Sequence, residues 1–444
     1  MPIIHNEKLL ELLKSSYTLG DIQNISRFLQ NHETFKFPQL DNGLFSAATL
    51  AEETEYTGYS SVWVRDNIYV AYSHYFVGQT EVATNNVKTL MTYFTKYQQR
   101  FGEIIEGQVN PEKIMERPNI RFDGRKLEEI DQKWNHAQND ALGYFLWFYS
   151  KLVREGSIKP ELDDLETLAL FPHYFQSVSY WQDEDSGHWE EDRKIEASSI
   201  GVVIAGLKEL KQLLTDTRFA SHCKYQDKSV TAEFLDELID RGKTSLDSIL
   251  PSECIQPAPQ QRRYDAALLF LIYPLRVIEI EDDMTNQILN DVIENLQGDY
   301  GIRRYLGDSF WCRDYKDIPE EIRTTISIER EQWFKENNRE LKIGEEAQWC
   351  IFDPIVSAIF GLKFQKTGQQ EYLEQQTYYL NRSLGQLTGK DCQFGKFKCP
   401  ELYYLQHGQY VPGDATPLLW TQANLKIALK MMEQSLTIMS NIAH

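Results

Sequence analysis

The chain has 444 residues, of which 42% are hydrophobic and 25% are charged. This composition is ordinary for a folded globular protein and excludes an intrinsically disordered chain. The 66 acidic residues outnumber the 46 basic ones and give a formal net charge of -20, which disfavours nucleic acid and anionic membranes as partners. A neutral ligand, such as a sugar, is compatible with this charge.

The amino-terminal sequence, MPIIHNEKLLELLKSS, lacks the basic start, apolar run and cleavage site of a signal peptide. No stretch approaches the roughly 18 uninterrupted apolar residues of a membrane span. These features, together with scattered cysteines that form no CxxC pair, predict a cytoplasmic protein with reduced thiols. A disulfide between Cys392 and Cys399 is a weaker alternative. The six cysteines are Cys223, Cys254, Cys312, Cys350, Cys392 and Cys399.

Periodic apolar residues predict helices along most of the chain. Two short amphipathic segments lie within residues 1–31, and a polar, turn-rich stretch follows to about Ser60. Strand signals are few and short. Beyond residue 60, helices are predicted from Val62, over 80–101, around 141–152, and over 161–180, 195–215, 230–249, 264–279, 284–297, 346–362, 366–389 and 417–440.

Two charged stretches interrupt this pattern. Residues 102–133 carry Pro111 and Pro118 and are predicted to form a long connection. Residues 312–342 alternate acidic and basic side chains and are predicted to be an exposed insertion or a surface helix. No linker divides the chain, so a single all-α domain over residues 1–444 is the simplest organisation. Sequential helical pairs suggest an open solenoid or a closed helical barrel, and the lack of a strict repeat favours the barrel.

One stretch combines turn formers, an aromatic residue and two adjacent glutamates. It runs from Asp183 to Gly201, and it places Trp189, Glu190 and Glu191 on irregular backbone just before a predicted helix. Loops on rigid supports commonly carry catalytic groups. The alternative is that these glutamates favour the helix dipole and face water.

Several other loops that precede helices place aromatic residues beside arginine, carboxylate and amide groups. This combination suits a polyhydroxylated ring, because such a ring offers apolar CH faces together with hydroxyl groups. The alternative is that the tryptophans belong to the core and the charges are solvated. The loops are Ser61–Asn67, Trp134–Asp140, Arg303–Asp308, Glu345–Trp349 and Cys399–Tyr404.

Hydrolysis of an acetal is a reaction that these residue types can support. It needs one protonated carboxyl group that donates to the leaving oxygen and one carboxylate that activates the nucleophile. Like charge from Glu191 and desolvation by Trp189 are expected to raise the pKa of Glu190, as suits a general acid. His136 and His188 are isolated, and no HExxH, GxGxxG, GxxxxGKS or GxSxG motif occurs, so no metal site and no cofactor are predicted.

Four motifs resemble, in this order, those of the glucoamylase-type glycoside hydrolases of family 15: VWVRDNIY, HWEEDRKIEASSIG, PELYYL and PLLWTQANL. The resemblance covers about residues 40 to 440. It is greatest to the branch that includes the regulatory alpha and beta subunits of phosphorylase kinase. It implies an (α/α)6 barrel with the pocket at one mouth, and an exo-acting, inverting hydrolase that releases glucose from α-glucans or α-gluco-oligosaccharides.

The resemblance also implies roles for particular residues. Glu190 matches the general acid, and Glu401 in PELYY matches the general base. Arg65 and Asp66 match the pair that grips the glucose at the non-reducing end of the substrate. Further sugar contacts are implied for Trp63, Trp134, Asp140, Trp189, Glu191, Arg304, Tyr305, Trp349 and Trp420.

The resemblance leaves more than one function open. The leading hypothesis is the hydrolase, acting on an α-linked gluco-oligosaccharide without a starch-binding module. The alternative is a non-catalytic glucan-binding or regulatory protein of the phosphorylase kinase subunit type, with residues 312–342 as a partner surface. A phosphorylase on the same barrel is a third hypothesis, in which Glu401 has no evident task.

Overall fold

A computed structural model of the chain describes residues 3–48, 58–324 and 326–442. The turn-rich stretch before Ser60 and the charged segment 312–342 therefore lie partly outside the described residues. The helices are α1 (Glu7–Leu10), α2 (Leu19–Asn31), α3 (Val64–Phe76), α4 (Thr80–Lys96), α5 (Gln99–Ile105), α6 (Asn139–Arg154), α7 (Leu162–Ser177), α8 (Ala197–Leu213), α9 (Thr217–Ala220), α10 (Ala232–Ile249), α11 (Leu269–Ile272), α12 (Asp283–Asn295), α13 (Ser327–Glu336), α14 (Asp353–Thr367), α15 (Gln370–Gly385) and α16 (Leu419–Ile442). The strands are β1 (Val62–Trp63), β2 (Arg121–Asp123), β3 (Glu128–Glu129), β4 (Lys224–Tyr225), β5 (Lys228–Ser229), β6 (Gln348–Trp349), β7 (Leu402–Gln406) and β8 (Gln409–Pro412).

The predicted all-α class is confirmed, and the three predicted helices described next differ most from the observed ones in extent. The helix predicted over 80–101 is divided into α4 and α5. The one predicted over 264–279 is reduced to the short α11, which ends before Pro274, a residue without an N–H donor. The one predicted over 346–362 begins only at α14, where Pro354 occupies the first turn, as prolines prefer.

The predicted connection over residues 102–133 contains a strand that is part of the candidate site. Strand β2 pairs antiparallel with β1, so that Trp63 lies opposite Arg121 and Val62 lies opposite Phe122. On its other side, β2 pairs with β3. This small sheet fixes the backbone directly before α3.

The chain forms two compact units. The first comprises residues 1–38, 47–60 and 264–444, and the second comprises residues 39–46 and 61–263. The single-domain organisation of residues 1–444 stays a prediction.

The core of the first unit is an apolar cluster built by α2, α14, α15 and α16. Helix α2 is closed at its start by a capping box of Thr18 and Asp21, and its buried stripe is Ile22, Ile25 and Leu29. These side chains pack with those of the three later helices in one buried cluster. The cluster supports the chain on both sides of Glu401, because α15 precedes that residue and α16 follows it.

In the second unit, α6 and α8 cross at small residues. A Cβ atom on Gly206 would lie 2.8 Å from the carbonyl oxygen of Gly143, so a larger residue at 206 would separate the two helices. Asp140 lies in the first turn of α6, and the loop that carries Glu190 leads into α8. The close crossing therefore sets the position of Asp140 relative to that loop.

The charged segment 312–342 has buried anchors as well as exposed charges. Arg330 and Phe334 of α13 are buried, and so are Cys312, Tyr315 and Ile318 earlier in the segment. All six cysteine thiols are free, so the Cys392–Cys399 disulfide is not formed. Among the residues that the structure describes, no helix combines the length and the apolar character needed to span a bilayer.

Candidate active site

The loop that carries Trp189, Glu190 and Glu191 is closed at its base. The N–H of Asp185 donates to the carbonyl oxygen of Lys194 at 3.0 Å, and the N–H of Lys194 donates to that of Asp185 at 2.9 Å. Within the loop, one turn of 3-10 helix leads into Glu190, which has a left-handed backbone with φ of 59°. Non-glycine residues keep this conformation only where their surroundings impose it, and such residues concentrate at functional sites.

Gly187 is the residue at which the loop tolerates no side chain. Its φ is +47°, and a Cβ atom there would collide with the carboxylate of Glu196. Its carbonyl oxygen accepts a hydrogen bond of 2.9 Å from the Arg65 guanidinium. Gly187 thus joins the loop to α3.

Replacing Gly187 by alanine is expected to lower the free energy of unfolding by about 3 kcal/mol, because strain and a displaced Glu196 add together. Gly156→Ala is a matched control, since Gly156 also has a positive φ, of +77°, but has open space around its Cβ position. For the control we expect a loss of about 1–2 kcal/mol from backbone strain alone. Urea unfolding of both variants checks this prediction, and equal losses would contradict it.

Arg65 connects three parts of the second unit through one buried guanidinium. The residue is 3% exposed. It donates hydrogen bonds of 2.7 Å to Asp140, 2.7 Å to Gln138 and 2.9 Å to the carbonyl of Gly187. Its remaining nitrogen lies 3.5 Å from the carboxylate of Glu190. The start of α3, the start of α6 and the Glu190 loop are therefore held in one arrangement.

Asp140 has no exposed surface, and although burial raises its pKa, the charge of Arg65 together with the other neighbours of Asp140 outweighs this effect and keeps the pKa below its ordinary value. It pairs with Arg65, and Nδ1 of His188 lies 3.7 Å away. Burial lowers the pKa of His188 to about 3, so this ring is neutral at pH 7, and it contacts Tyr144 at 3.0 Å. We infer that Asp140 positions Arg65, whereas its contact with a sugar stays a prediction.

The carboxyl group of Glu190 has the electrostatic character of a general acid. Burial raises its pKa, and the charge of Asp140 adds to this effect, while Arg65, a hydrogen bond from Trp63 and the charge of Arg121 oppose it. Such a group stays protonated at a higher pH than an exposed glutamate does. The predicted effect of desolvation, a raised pKa of the Glu190 carboxyl group, is therefore observed.

Two further acidic side chains belong to this group. Burial raises the pKa of Asp66 to about 7, with Glu190 adding to the effect and Arg65 opposing it. The carboxylate of Glu191, from which a like charge was predicted, lies 3.3 Å from Arg262. Asp140 supplies a like charge to Glu190, and the like charge from Glu191 stays a prediction.

Three tryptophans form the aromatic part of the second unit's group. The rings of Trp63 and Trp134 meet edge to face, with centroids 6.0 Å apart. The guanidinium carbon of Arg121 lies 4.9 Å from the Trp63 ring and 4.2 Å from the Trp134 ring. Trp189 is 7% exposed and contacts His188, at 5.9 Å between centroids.

In the first unit, Glu401 lies directly before β7 and is 3% exposed. The Tyr59 hydroxyl donates to its Oε1 at 2.7 Å. Its own N–H donates to the carbonyl of Ala415 at 3.0 Å, and its carbonyl accepts from the N–H of Cys350 at 2.8 Å. The carboxylate is thus held by the Tyr59 hydroxyl, and the main chain of Glu401 is held by neighbouring backbone on both sides.

Strand pairing brings other predicted residues of the first unit towards Glu401. Trp349 of β6 lies opposite Leu402 of β7, and it also forms a bridge with Ile302. Two residues beyond Ile302, the buried Arg304 makes two 2.7 Å hydrogen bonds to Asp308.

Contacts between aromatic rings and an arginine complete the group of predicted site residues in the first unit. The guanidinium of Arg304 lies 4.8 Å from the Trp349 ring and 5.7 Å from that of Tyr305. Trp420 lies in the first turn of α16 and stacks on Phe270, with ring centroids 5.5 Å apart. The predicted sugar-binding residues of the first unit are therefore buried aromatic and ionic neighbours on elements adjoining Glu401.

The structure thus places the predicted site residues in two groups, one in each unit. The second unit holds Trp63, Arg65, Asp66, Trp134, Asp140, Trp189, Glu190 and Glu191, and the first unit holds Arg304, Tyr305, Trp349, Glu401 and Trp420. A cleft of about 950 Å³ in the first unit contains Tyr403 and Tyr404 of PELYYL but no predicted site residue.

Three residues of these groups were not predicted as site residues. The sequence around Gln138 indicates a site residue, because Gln138 lies in the aromatic and amide-rich stretch WNHAQND. For Arg121 the indication is weak and consists of the apolar residues Ile120 and Phe122 on either side, both of which are buried. Nothing in the sequence around Tyr59 indicates a site residue.

Comparison with known proteins agrees with these motifs. The chain matches the family model described as glycosyl hydrolases family 15 over residues 30–423. It is 24% identical over 418 residues to the probable phosphorylase b kinase regulatory subunit alpha of Caenorhabditis elegans, covering 85% of this chain and 31% of that one. It is 29% identical over 208 residues to an uncharacterized lipoprotein of Escherichia coli (strain K12), covering 41% of this chain and 77% of that one. The chain thus spans under a third of the kinase subunit.

Solved glycosidase structures share the fold. A glycosidase variant in complex with glucose has a TM-score of 0.62 at 15% identity, covering 95% of this chain and 98% of that one. The glucoamylase from Saccharomycopsis fibuligera has a TM-score of 0.58 at 12% identity, covering 95% and 97%. A bacterial glucoamylase complexed with acarbose has a TM-score of 0.55 at 13% identity, covering 89% and 53%.

These likenesses confirm the predicted (α/α)6 barrel class. The family match includes Arg65, Glu190 and Glu401, and it extends over most of the chain. This chain therefore belongs to family 15 of the glycosyl hydrolases.

Proposed function

We propose that this protein is an exo-acting glycoside hydrolase that releases glucose from α-glucans or α-gluco-oligosaccharides with inversion of configuration. The observation that carries the proposal is the Glu190 carboxyl group, which is buried, has a raised pKa and is held on constrained backbone beside Arg65. Support also comes from structural neighbours that hold glucose and acarbose.

In the proposed reaction, protonated Glu190 donates to the glycosidic oxygen as the bond to the anomeric carbon breaks. This requires the carboxyl form, which the raised pKa of Glu190 favours. Glu401 accepts a proton from water, which attacks the opposite face of the anomeric carbon and gives β-glucose. An inverting mechanism requires the two carboxyl groups to be about 6.5–9.5 Å apart in the complex with substrate.

Arg65 and Asp66 are proposed to bind hydroxyl groups of the terminal glucose. Asp66 is suited to this because a carboxyl group with a pKa of about 7 both donates and accepts hydrogen bonds near neutral pH. The remaining proposed sugar contacts are aromatic or ionic: Trp63, Trp134, Asp140, Trp189, Glu191, Arg304, Tyr305, Trp349 and Trp420. The scheme uses no metal and no cofactor.

The test is to incubate the protein with maltotriose and with isomaltotriose and to follow the anomeric protons by NMR. We expect β-glucose to appear first, and Glu401→Gln to lower kcat by about two to four orders of magnitude, because the general base is lost. Glu374→Gln, on the exposed side of α15, is the matched control and should leave kcat unchanged. Initial release of α-glucose, or a Glu401→Gln variant that keeps most of its activity, would refute the mechanism.

A non-catalytic glucan-binding or regulatory protein is the second candidate. It is favoured by the match of 85% of this chain to a phosphorylase b kinase regulatory subunit. The charged segment 312–342, which stays a predicted insertion, would offer a partner surface in such a protein. Calorimetry that detects tight acarbose binding, with no glucose released from the oligosaccharides over days, would decide for this candidate.

A further inference from the structure

Arg121 is a buried cation that lies against Trp63 and Trp134, two of the three tryptophans of the Glu190 group. It is 6% exposed, and β-pairing places it directly opposite Trp63. Its Nη1 donates to the side chain of Gln132 at 2.9 Å. An arginine packed on indole faces is held by the attraction between its positive charge and the negative face of the ring, and burial strengthens that attraction.

Trp63 in turn acts on the proposed acid. A hydrogen bond from its side chain opposes the rise in the pKa of the Glu190 carboxyl group, and an indole has only one hydrogen-bonding group, the Nε1–H donor. The direction of that N–H depends on the plane of the Trp63 ring. The ring plane is set by what packs on its face, and the Arg121 guanidinium lies 4.9 Å from the ring centroid.

We propose that Arg121 is a positioning residue of the Glu190 site, which fixes the Trp63 ring so that its N–H meets the Glu190 carboxyl group and which holds Trp134 against Trp63. Arg121 acts through these two indoles and does not touch the reacting atoms. Its kinetic effect rests on the proposed function, whereas its effect on the two tryptophans does not.

Loss of Arg121 has a predictable electrostatic sign. The charged groups of the second unit that act on Glu190 include Arg65 and Asp66 of α3, Asp140 of α6 and Arg121 of β2. Removal of one of the two cations raises the pKa of Glu190, because the ionised form loses a favourable neighbour. The acid then stays protonated to higher pH, so the basic limb of kcat/KM shifts upward.

The experiment compares Arg121→Gln, which removes the charge and the stacking, with Arg121→Lys, which keeps the charge but not the planar stack. For maltotriose, we expect kcat to fall about tenfold in Arg121→Gln, since a displaced proton donor loses part of the two to four orders of magnitude that general acid catalysis supplies. The basic limb should move to higher pH in Arg121→Gln and move less in Arg121→Lys. Arg241→Gln is the matched control, because Arg241 lies 4.8 Å from the ring of Trp181, away from Glu190 and with half its side chain exposed.

A double-mutant cycle with Trp63→Phe tests whether Arg121 acts through the indole. If it does, Arg121→Gln adds little to the loss in kcat that Trp63→Phe causes alone, because the N–H is already absent. Additive losses, or an unmoved basic limb in Arg121→Gln, would overturn the inference.

Binding is measured separately, by quenching of tryptophan fluorescence on titration with acarbose. If the wild type binds acarbose without hydrolysing maltotriose, the proposed function fails. The inference is then judged by acarbose affinity, which should weaken about tenfold in Arg121→Gln, as loss of about one well-placed contact would. An unchanged affinity in that case would overturn it.

Discussion

Replacing Glu190 by glutamine is expected to lower kcat by about two to four orders of magnitude, while acarbose binding is retained. Glutamine has the shape of the protonated carboxyl group but cannot give up a proton to the leaving oxygen. Glu184→Gln is the matched control, because Glu184 is exposed and precedes the same loop. A Glu190→Gln variant with more than a tenth of wild-type kcat would contradict the assignment.

The same substitution should not destabilise the protein, and its effect on stability should depend on pH. The folded pKa of Glu190 is raised above the ordinary value of 4.5, so its contribution to stability is fully present below that value and is lost as pH rises through the folded pKa. Glutamine does not ionise, so the variant avoids this loss. Urea unfolding should show the variant gaining stability relative to the wild type as pH rises, and a relative loss would contradict the sign.

Replacing Arg65 by methionine is expected to lower the free energy of unfolding by about 3–5 kcal/mol, because it leaves a buried charge without its partner. Asp140 has no exposed surface and would lose its 2.7 Å ion pair. The carbonyl of Gly187 and the side chain of Gln138 would lose their donor as well. We expect activity to be lost together with stability.

Two further variants test whether the lost stability of Arg65→Met comes from a buried unpaired charge or from lost packing. Asp140→Asn in the Arg65→Met background should restore part of the stability, because it removes the uncompensated charge. Arg100→Met breaks ion pairs with Glu116 and Glu129 in which the arginine side chain is 22% exposed, and it should cost about 1 kcal/mol or less. Equal losses for Arg65→Met and Arg100→Met in urea unfolding, or no rescue by Asp140→Asn, would contradict the prediction.

Helical periodicity and loop composition together anticipated much of the second unit's group. The residues of VWVRDN lie where a predicted helix begins, and Glu190 lies on the predicted irregular turn. Both follow from local patterns, because apolar spacing marks a helix and turn formers mark its start. Pro274 and Pro354 are also local signals, because a proline marks the end or the first turn of a helix. They account for where α11 ends and where α14 begins.

The residues that sequence reasoning missed depend on contacts between distant positions. Tyr59 bonds Glu401 across 342 positions, and no pattern near either residue reveals this. Arg121 lies on a strand of three residues, too short for alternation to be convincing. The like charge that Asp140 supplies to Glu190 likewise depends on how α6 packs and not on adjacency in sequence.

The main-chain bridge between Asp185 and Lys194 makes the backbone path of the loop independent of the side chain at position 190. Main-chain hydrogen bonds close the loop at its base, and these do not involve the Glu190 side chain. A substitution at Glu190 alone therefore leaves the entry and exit of the chain, and α8 behind them, in place. We therefore expect the folded loop to survive loss of its proposed acid, so that turnover and folding can change independently.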